Sequence, residues 1–138
     1  MGFIDRIETT ISSKINNLLN RIEDPLETFD YSYEKQLELL QDVKRGVTEV
    51  TTSKKRLQLQ RAKLMQDIEK LERQAKEAIA ANRDDFARQA LERKAAILQQ
   101  VSGIDTQITD LEAQEQKLLE IEKSYPLRLK YSGQRRRL

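Results

Sequence analysis

A seven-residue apolar repeat holds through eight heptads in the first half of the chain, and no other feature narrows the choice of fold as much. Leu26, Tyr33, Leu40, Val47, Lys54, Arg61, Ile68 and Ala75 form one line, and Phe29, Gln36, Val43, Val50, Leu57, Leu64, Leu71 and Ala78 form its companion. Thirteen of these sixteen side chains are apolar, so the pattern describes a helix with a narrow seam along one side. A seam of that width is covered by another helix. Composition agrees: Ala, Glu, Lys, Leu and Arg supply 67 of the 138 residues, with four Gly, two Pro and 5% aromatics. So little bulky apolar material does not fill a thick core. The expected fold class is all-α, a long antiparallel helical hairpin (coiled coil) preceded by an N-terminal amphipathic helix.

The ends of the hairpin arms are marked by local chemistry. Asp24-Pro25-Leu26-Glu27 reads as a helix start, with Asp as N-cap, Pro at the first helical position and Glu three residues after the cap. Turn- and cap-forming residues next cluster at Ala81-Asn82-Arg83-Asp84-Asp85, which predicts the hairpin tip at about 81–85. A second helix is expected from about Asp85 to Ser124. Ala90, Ile97, Ile104, Leu111, Leu118 and Tyr125 lie on one of its lines and Ala87, Val101 and Ile108 on the other, which Lys94, Glu115 and Glu122 interrupt. Pro126 disfavours the helical conformation at Tyr125 and is expected to end this helix. The three expected segments are 1–23, 24–125 and a basic flexible tail, 126–138.

A tip centred on Arg83 makes facing residues equidistant from it in sequence. Lys54 then lies near Glu112, Arg61 near Asp105, and Lys94 near Glu72. All three pairs are opposite in sign, as expected of an antiparallel hairpin held in register by complementary charge. On the same register Ser124 reaches only to about Asp42. That leaves Leu26, Phe29, Tyr33, Leu37 and Leu40 on a stripe without a partner from the second arm, a candidate self-assembly surface.

Residues 1–22 carry Phe3, Ile4, Ile7, Ile11, Ile15, Leu18, Leu19 and Ile22 at steps of three and four, the one-face pattern of an amphipathic helix. The opposite face is largely Thr, Ser and Asn, which are indifferent helix formers, so this helix needs its apolar face covered. Two covers are open to it. It packs on the rest of the chain, or it lies in a membrane interface with these eight residues as the lipid contacts.

Several function classes are set aside. The chain has neither Cys nor His, which removes the commonest metal ligands, thiol chemistry and the usual neutral-pH proton carrier. Gly occurs at 2, 46, 103 and 133 and forms no phosphate-binding loop, so no enzyme, cofactor or metal is expected. Five of the cations lie in the last twelve residues and the remainder is net acidic, so no basic groove for nucleic acid is expected. No apolar run approaches the length of a membrane span, and Arg6 stands where N-myristoylation requires Ser or Thr.

The opening Met1-Gly2-Phe3-Ile4-Asp5-Arg6, the Glu23-Asp24-Pro25 that follows, and Asp85-Phe86-Ala87-Arg88-Gln89-Ala90-Leu91-Glu92-Arg93-Lys94 resemble the phage-shock protein A family, which includes the plastid and cyanobacterial vesicle-inducing proteins. The resemblance covers about residues 1–125. It implies a peripheral membrane protein of the cytoplasmic leaflet, or of the plastid or thylakoid membrane in a photosynthetic source. Such a protein inserts its N-terminal helix into stressed, anionic or packing-defective bilayers and self-assembles into polymers akin to the eukaryotic filaments called ESCRT-III. By this resemblance Phe3, Ile4, Ile7 and Ile11 are membrane contacts, and Glu23, Asp24 and Pro25 are the hinge before the hairpin. Some bacterial members also hold a AAA+ transcription activator inactive through the hairpin. Family chains continue into further helices, whereas this sequence ends in a short basic stretch. Three functions therefore stand side by side: a membrane scaffold that is also a homo-oligomer, a regulator of a AAA+ ATPase, and a structural coiled coil with no membrane role.

Overall fold

The computed structural model describes residues 13–22 and 32–137, with side chains as far as Ser124. Among these residues the secondary structure is helix and turn. Helix α1 covers 13–22, α2 is Tyr33–Ala80 and α3 is Asp84–Arg137. The two long helices pack antiparallel as a hairpin, and α1 precedes them.

The turn between the arms closes through three backbone hydrogen bonds. Arg83 N–H donates to the Ala78 carbonyl at 2.7 Å, Asn82 N–H to Ile79 at 3.0 Å, and Ala81 N–H to Glu77 at 3.0 Å. The first two make a Schellman cap, whose C′ residue must be left-handed. Asn82 occupies that position with φ 59°, a conformation asparagine adopts more readily than most residues. The α3 ladder starts at once, with Ala87 N–H donating to the Arg83 carbonyl at 3.1 Å. Asp84 and Asp85 place negative charge on the positive end of its dipole.

Two helix limits differ from those expected. The start read at Asp24-Pro25 lies outside the described residues, and α2 begins at Tyr33 rather than running unbroken from Pro25. Ser32 is its cap: the Ser32 hydroxyl accepts from Lys35 N–H at 3.3 Å and the Ser32 carbonyl from Gln36 N–H at 3.0 Å. At the other end α3 continues through Pro126 to Arg137 instead of stopping at Ser124. Proline removes one N–H and crowds one carbonyl a turn earlier, which disturbs a helix without forbidding it on either side. Leu127–Lys130, all good helix formers, carry the backbone on. The second arm, at 54 residues, is therefore not the shorter one expected beside the 48 of α2.

Packing divides the chain into two compact units, Met1–Ser53 with Leu111–Leu138, and Lys54–Asp110. In the first, α1 joins the hairpin to make three helices around one core. Ile15, Leu18, Leu19 and Ile22 from α1, Leu39, Val43 and Val50 from α2, and Leu111 and Leu118 from α3 are all buried. Burial of an apolar side chain of this size contributes about 1.5–3 kcal/mol as an upper figure. The third helix also changes which side of α2 is covered. The line of Gln36, Val43 and Val50 is buried as the repeat predicts, but its companion is Leu39, Gly46 and Ser53, one residue before the expected Leu40, Val47 and Lys54, which are half-buried.

In the second unit the expected seam holds. Leu57, Ile68, Leu71 and Ala75 are buried on α2, and Ala87, Ala90, Val101 and Ile104 on α3. Leu71, Ala75 and Ala90 form a cluster on which Ile97 packs. Between Ser53 and Arg61 the buried track on α2 therefore gains one residue, the stutter by which a straight helix absorbs its mismatch with a strict heptad.

These packing differences predict opposite signs for two substitutions read by urea unfolding. Leu118→Ala, at a fully buried site, destabilises by about 2–5 kcal/mol. Gly103→Ala stabilises by about 0.5–1 kcal/mol, because a Cβ there meets nothing within 4 Å and glycine is a poor helix former.

Candidate functional site

Of the two covers open to the N-terminal helix, the membrane reading presents eight apolar residues to a bilayer. Four of them, Phe3, Ile4, Ile7 and Ile11, lie outside the described residues, as do Glu23, Asp24 and Pro25 of the hinge. The structure places the other four, Ile15, Leu18, Leu19 and Ile22, in the three-helix core, each no more than 5% exposed. The seat that receives them is made close by Gly46: a Cβ at that position would stand 3.0 Å from Ile15 Cδ1 and 3.4 Å from Leu118 Cδ1. Asn16 adds a polar tie, its Oδ1 accepting a 3.1 Å hydrogen bond from Nε2 of the buried Gln114 on α3.

Along one flank of α1 runs a groove against α2, lined by Lys14, Asn17 and Arg21 on one side and Asp42, Arg45 and Glu49 on the other. Arg45 and Asp42 stand 3.9 Å apart within α2. Cations and carboxylates are mixed along it. The outward residues of α1 are Ser13, Lys14, Asn16, Asn17, Asn20 and Arg21, all exposed. Sequence reasoning passed over Gly46 and Ser53 because neither is apolar. Their signal was position, since both sit on the three-and-four track of buried neighbours, where small size rather than hydrophobicity permits a third helix to approach.

The expected self-assembly stripe is partly in view. Leu26 and Phe29 lie outside the described residues; Tyr33 is 44% and Leu37 38% exposed, and Leu40 is half-buried.

Of the register pairs, Arg61 and Asp105 meet through Nε and Oδ1 at 2.6 Å, and Lys94 Nζ lies 2.9 Å from Glu72 Oε1. Lys54 is half-buried and Glu112 exposed. A pair not anticipated joins the first unit's arms, where the Thr51 hydroxyl donates to Glu115 Oε2 at 3.0 Å. Each of the three contacting pairs is equidistant in sequence from Arg83. The charged residues that interrupt the α3 seam at Lys94 and Glu115 are thus partners of the facing helix. Both ion pairs are substantially exposed and screened by water, so they serve register more than stability. Among the described residues no three acidic side chains converge to hold a metal ion, and no helix is long and apolar enough to cross a membrane.

Residues 2–123 match the PspA/IM30 family. The chain belongs to that family. It is 33% identical over 128 residues to a protein of Nostoc punctiforme named membrane-associated protein Vipp1, a match covering 88% of this chain and 49% of the relative. It is 26% identical over 108 residues to the Synechocystis protein of the same name, covering 78% of this chain and 40% of that one. This PspA/IM30 chain thus spans about half the length of the curated relatives it matches or less.

The hydrogen bond from Lys94 and then its charge hold the Glu72 carboxyl below its ordinary value of about 4.5. The stabilisation it supplies is therefore present above the ordinary carboxylate range and lost as pH falls through the lowered value. In Lys94→Met, the Glu72 midpoint followed by carboxyl-carbon NMR rises toward the ordinary value, and an unmoved midpoint would mean the two side chains do not meet in solution.

Proposed function

We propose that this chain is a peripheral membrane-binding scaffold that self-assembles on a bilayer surface and protects or remodels stressed membrane. The observation that carries the reading is the unbroken apolar face from Phe3 to Ile22 on a segment too charged to span, in a chain whose family relatives are named membrane-associated. Large apolar side chains opposite small hydroxyl and amide ones suit insertion into gaps between lipids, with electrostatic attraction a lesser contribution. Tyr33 and Leu37, exposed one turn apart on α2, supply apolar surface for a second copy of the chain. A bilayer accounts for the N-terminal face directly, and a AAA+ activator bound to the hairpin does not. We therefore prefer the scaffold to the regulator and to a coiled coil without a membrane role.

Ile7→Glu/Ile11→Glu places two charges on the inserting face and removes two anchors, each worth about 1.5–3 kcal/mol when fully buried and less at an interface. Flotation with anionic vesicles is expected to lose most of the bound fraction. Binding equal to wild type, with helicity unchanged, would sink the membrane reading.

A further inference from the structure

Ile15, Leu18, Leu19 and Ile22 are the inner half of the face proposed above to enter lipid, and in this structure they are the α1 contribution to a buried core. A helix of this kind has one apolar stripe, so the hairpin and a bilayer cannot cover it at once. We propose that residues 15–22 are a latch for which the hairpin seat and a lipid surface compete, with Gly46 setting how firmly the seat holds. The proposal rests on the membrane reading of the N-terminal helix.

Three observations support it. Gly46 lies inside a 48-residue helix, where glycine is unfavourable, and the nearest atom to a Cβ there is Ile15 Cδ1 of the seated α1 at 3.0 Å, closer than Leu118 Cδ1 of α3 at 3.4 Å. Gly103, the comparable interior glycine of α3, has open space where its Cβ would be. The seat also has a polar element, the hydrogen bond from Gln114 to Asn16, which a helix seated elsewhere or dissolved in lipid would forgo. Finally, the exposed side of α1 consists of Ser13, Asn16, Asn17 and Asn20 with Lys14 and Arg21. Such a segment has little intrinsic helical stability and depends on whichever surface covers its stripe. A protein whose competent state is a minority binds lipid more weakly by that fraction, so loosening the seat strengthens membrane binding without adding a lipid contact.

Flotation with vesicles of equal parts phosphatidylcholine and phosphatidylglycerol tests this on the full chain. Gly46→Gln fills the seat with a neutral, helix-favouring side chain and leaves residues 1–22 untouched. It is expected to speed amide exchange at 15–22 and to tighten vesicle binding by on the order of tenfold. The chain has no native cysteine, so Asn16→Cys/Gln114→Cys reacts with a short bismaleimide at those two positions alone. Once linked, it is expected to bind vesicles several-fold more weakly than the same protein unlinked. Equal binding of the linked and unlinked forms would overturn the latch. Unchanged exchange at 15–22 in Gly46→Gln, or faster exchange with no gain in binding, would overturn it as well. Ile7→Glu/Ile11→Glu separates the two levels. If that variant binds as wild type does, the membrane reading fails, whereas if its binding collapses while the latch variants move nothing, the latch alone fails.

Discussion

An amphipathic helix in water must place its apolar stripe against something, and the described part of this chain follows from how three stripes share cover. The two long helices have stripes of matching width and cover one another. Neither has enough bulky apolar surface to stand alone, with residues such as Ala75, Ala87 and Ala90 making much of the contact near the tip. Small side chains compensate by letting the helices approach closely. The shorter α1 has the most concentrated stripe, with four large aliphatic residues in eight positions, and it takes the remaining side of the hairpin where Gly46 and Ser53 leave room.

Seams built from Leu, Val and Ala are permissive, since a shift by one heptad exchanges one aliphatic contact for another. Charge removes that freedom. Arg61 with Asp105, Glu72 with Lys94 and Thr51 with Glu115 each meet at a single register, and sliding either arm would separate them and oppose like charges at some positions. Their energies are small because water reaches them. Specificity is a difference between registers, however, and small terms repeated along a long interface accumulate in that difference. The Schellman cap at Ala81–Arg83 contributes from the other direction, since a turn of so few residues admits little variation in where the second helix begins.

For a PspA/IM30 chain, the burial of Ile15 through Ile22 connects packing to function. The apolar residues that suit the segment to lipid are the ones that suit it to the hairpin core, because both environments reward removal from water and neither discriminates strongly between aliphatic side chains. The balance between them then rests on shape. A bilayer accepts any outline, whereas at the seat a Cβ on position 46 would stand 3.0 Å from Ile15 Cδ1, tighter than ordinary contact. On the latch proposal, control of such a segment rests with the hairpin residues that receive it.

The all-α hairpin, the turn near Arg83 and the opposite-signed facing residues were legible in the amino-acid order because each depends on local terms: periodicity over many heptads, cap chemistry at a few adjacent positions, and the sign of charges at fixed separation from the turn. The hydrophobicity of residues 15–22 was legible as well, but its destination was not. Whether a stripe meets protein or lipid depends on which complementary surface exists elsewhere, and here that surface is made by residues far apart in sequence, Gly46 and Leu118 among them. The same non-local cause moved the buried companion line of α2 from Leu40, Val47 and Lys54 to Leu39, Gly46 and Ser53. A third helix covers the side that a two-helix repeat leaves in water, and no count of apolar residues along α2 contains it. At Pro126 and at Ser32 the local signs were outweighed or incomplete. Helix formers beyond the proline sustained α3, and a serine hydroxyl captured the Lys35 N–H in the first turn of α2 eight residues after the expected cap. Sequence alone determined the helical class, the turn and the register about it; tertiary structure decided which faces the helices bury, because burial is a competition among all the surfaces present at once.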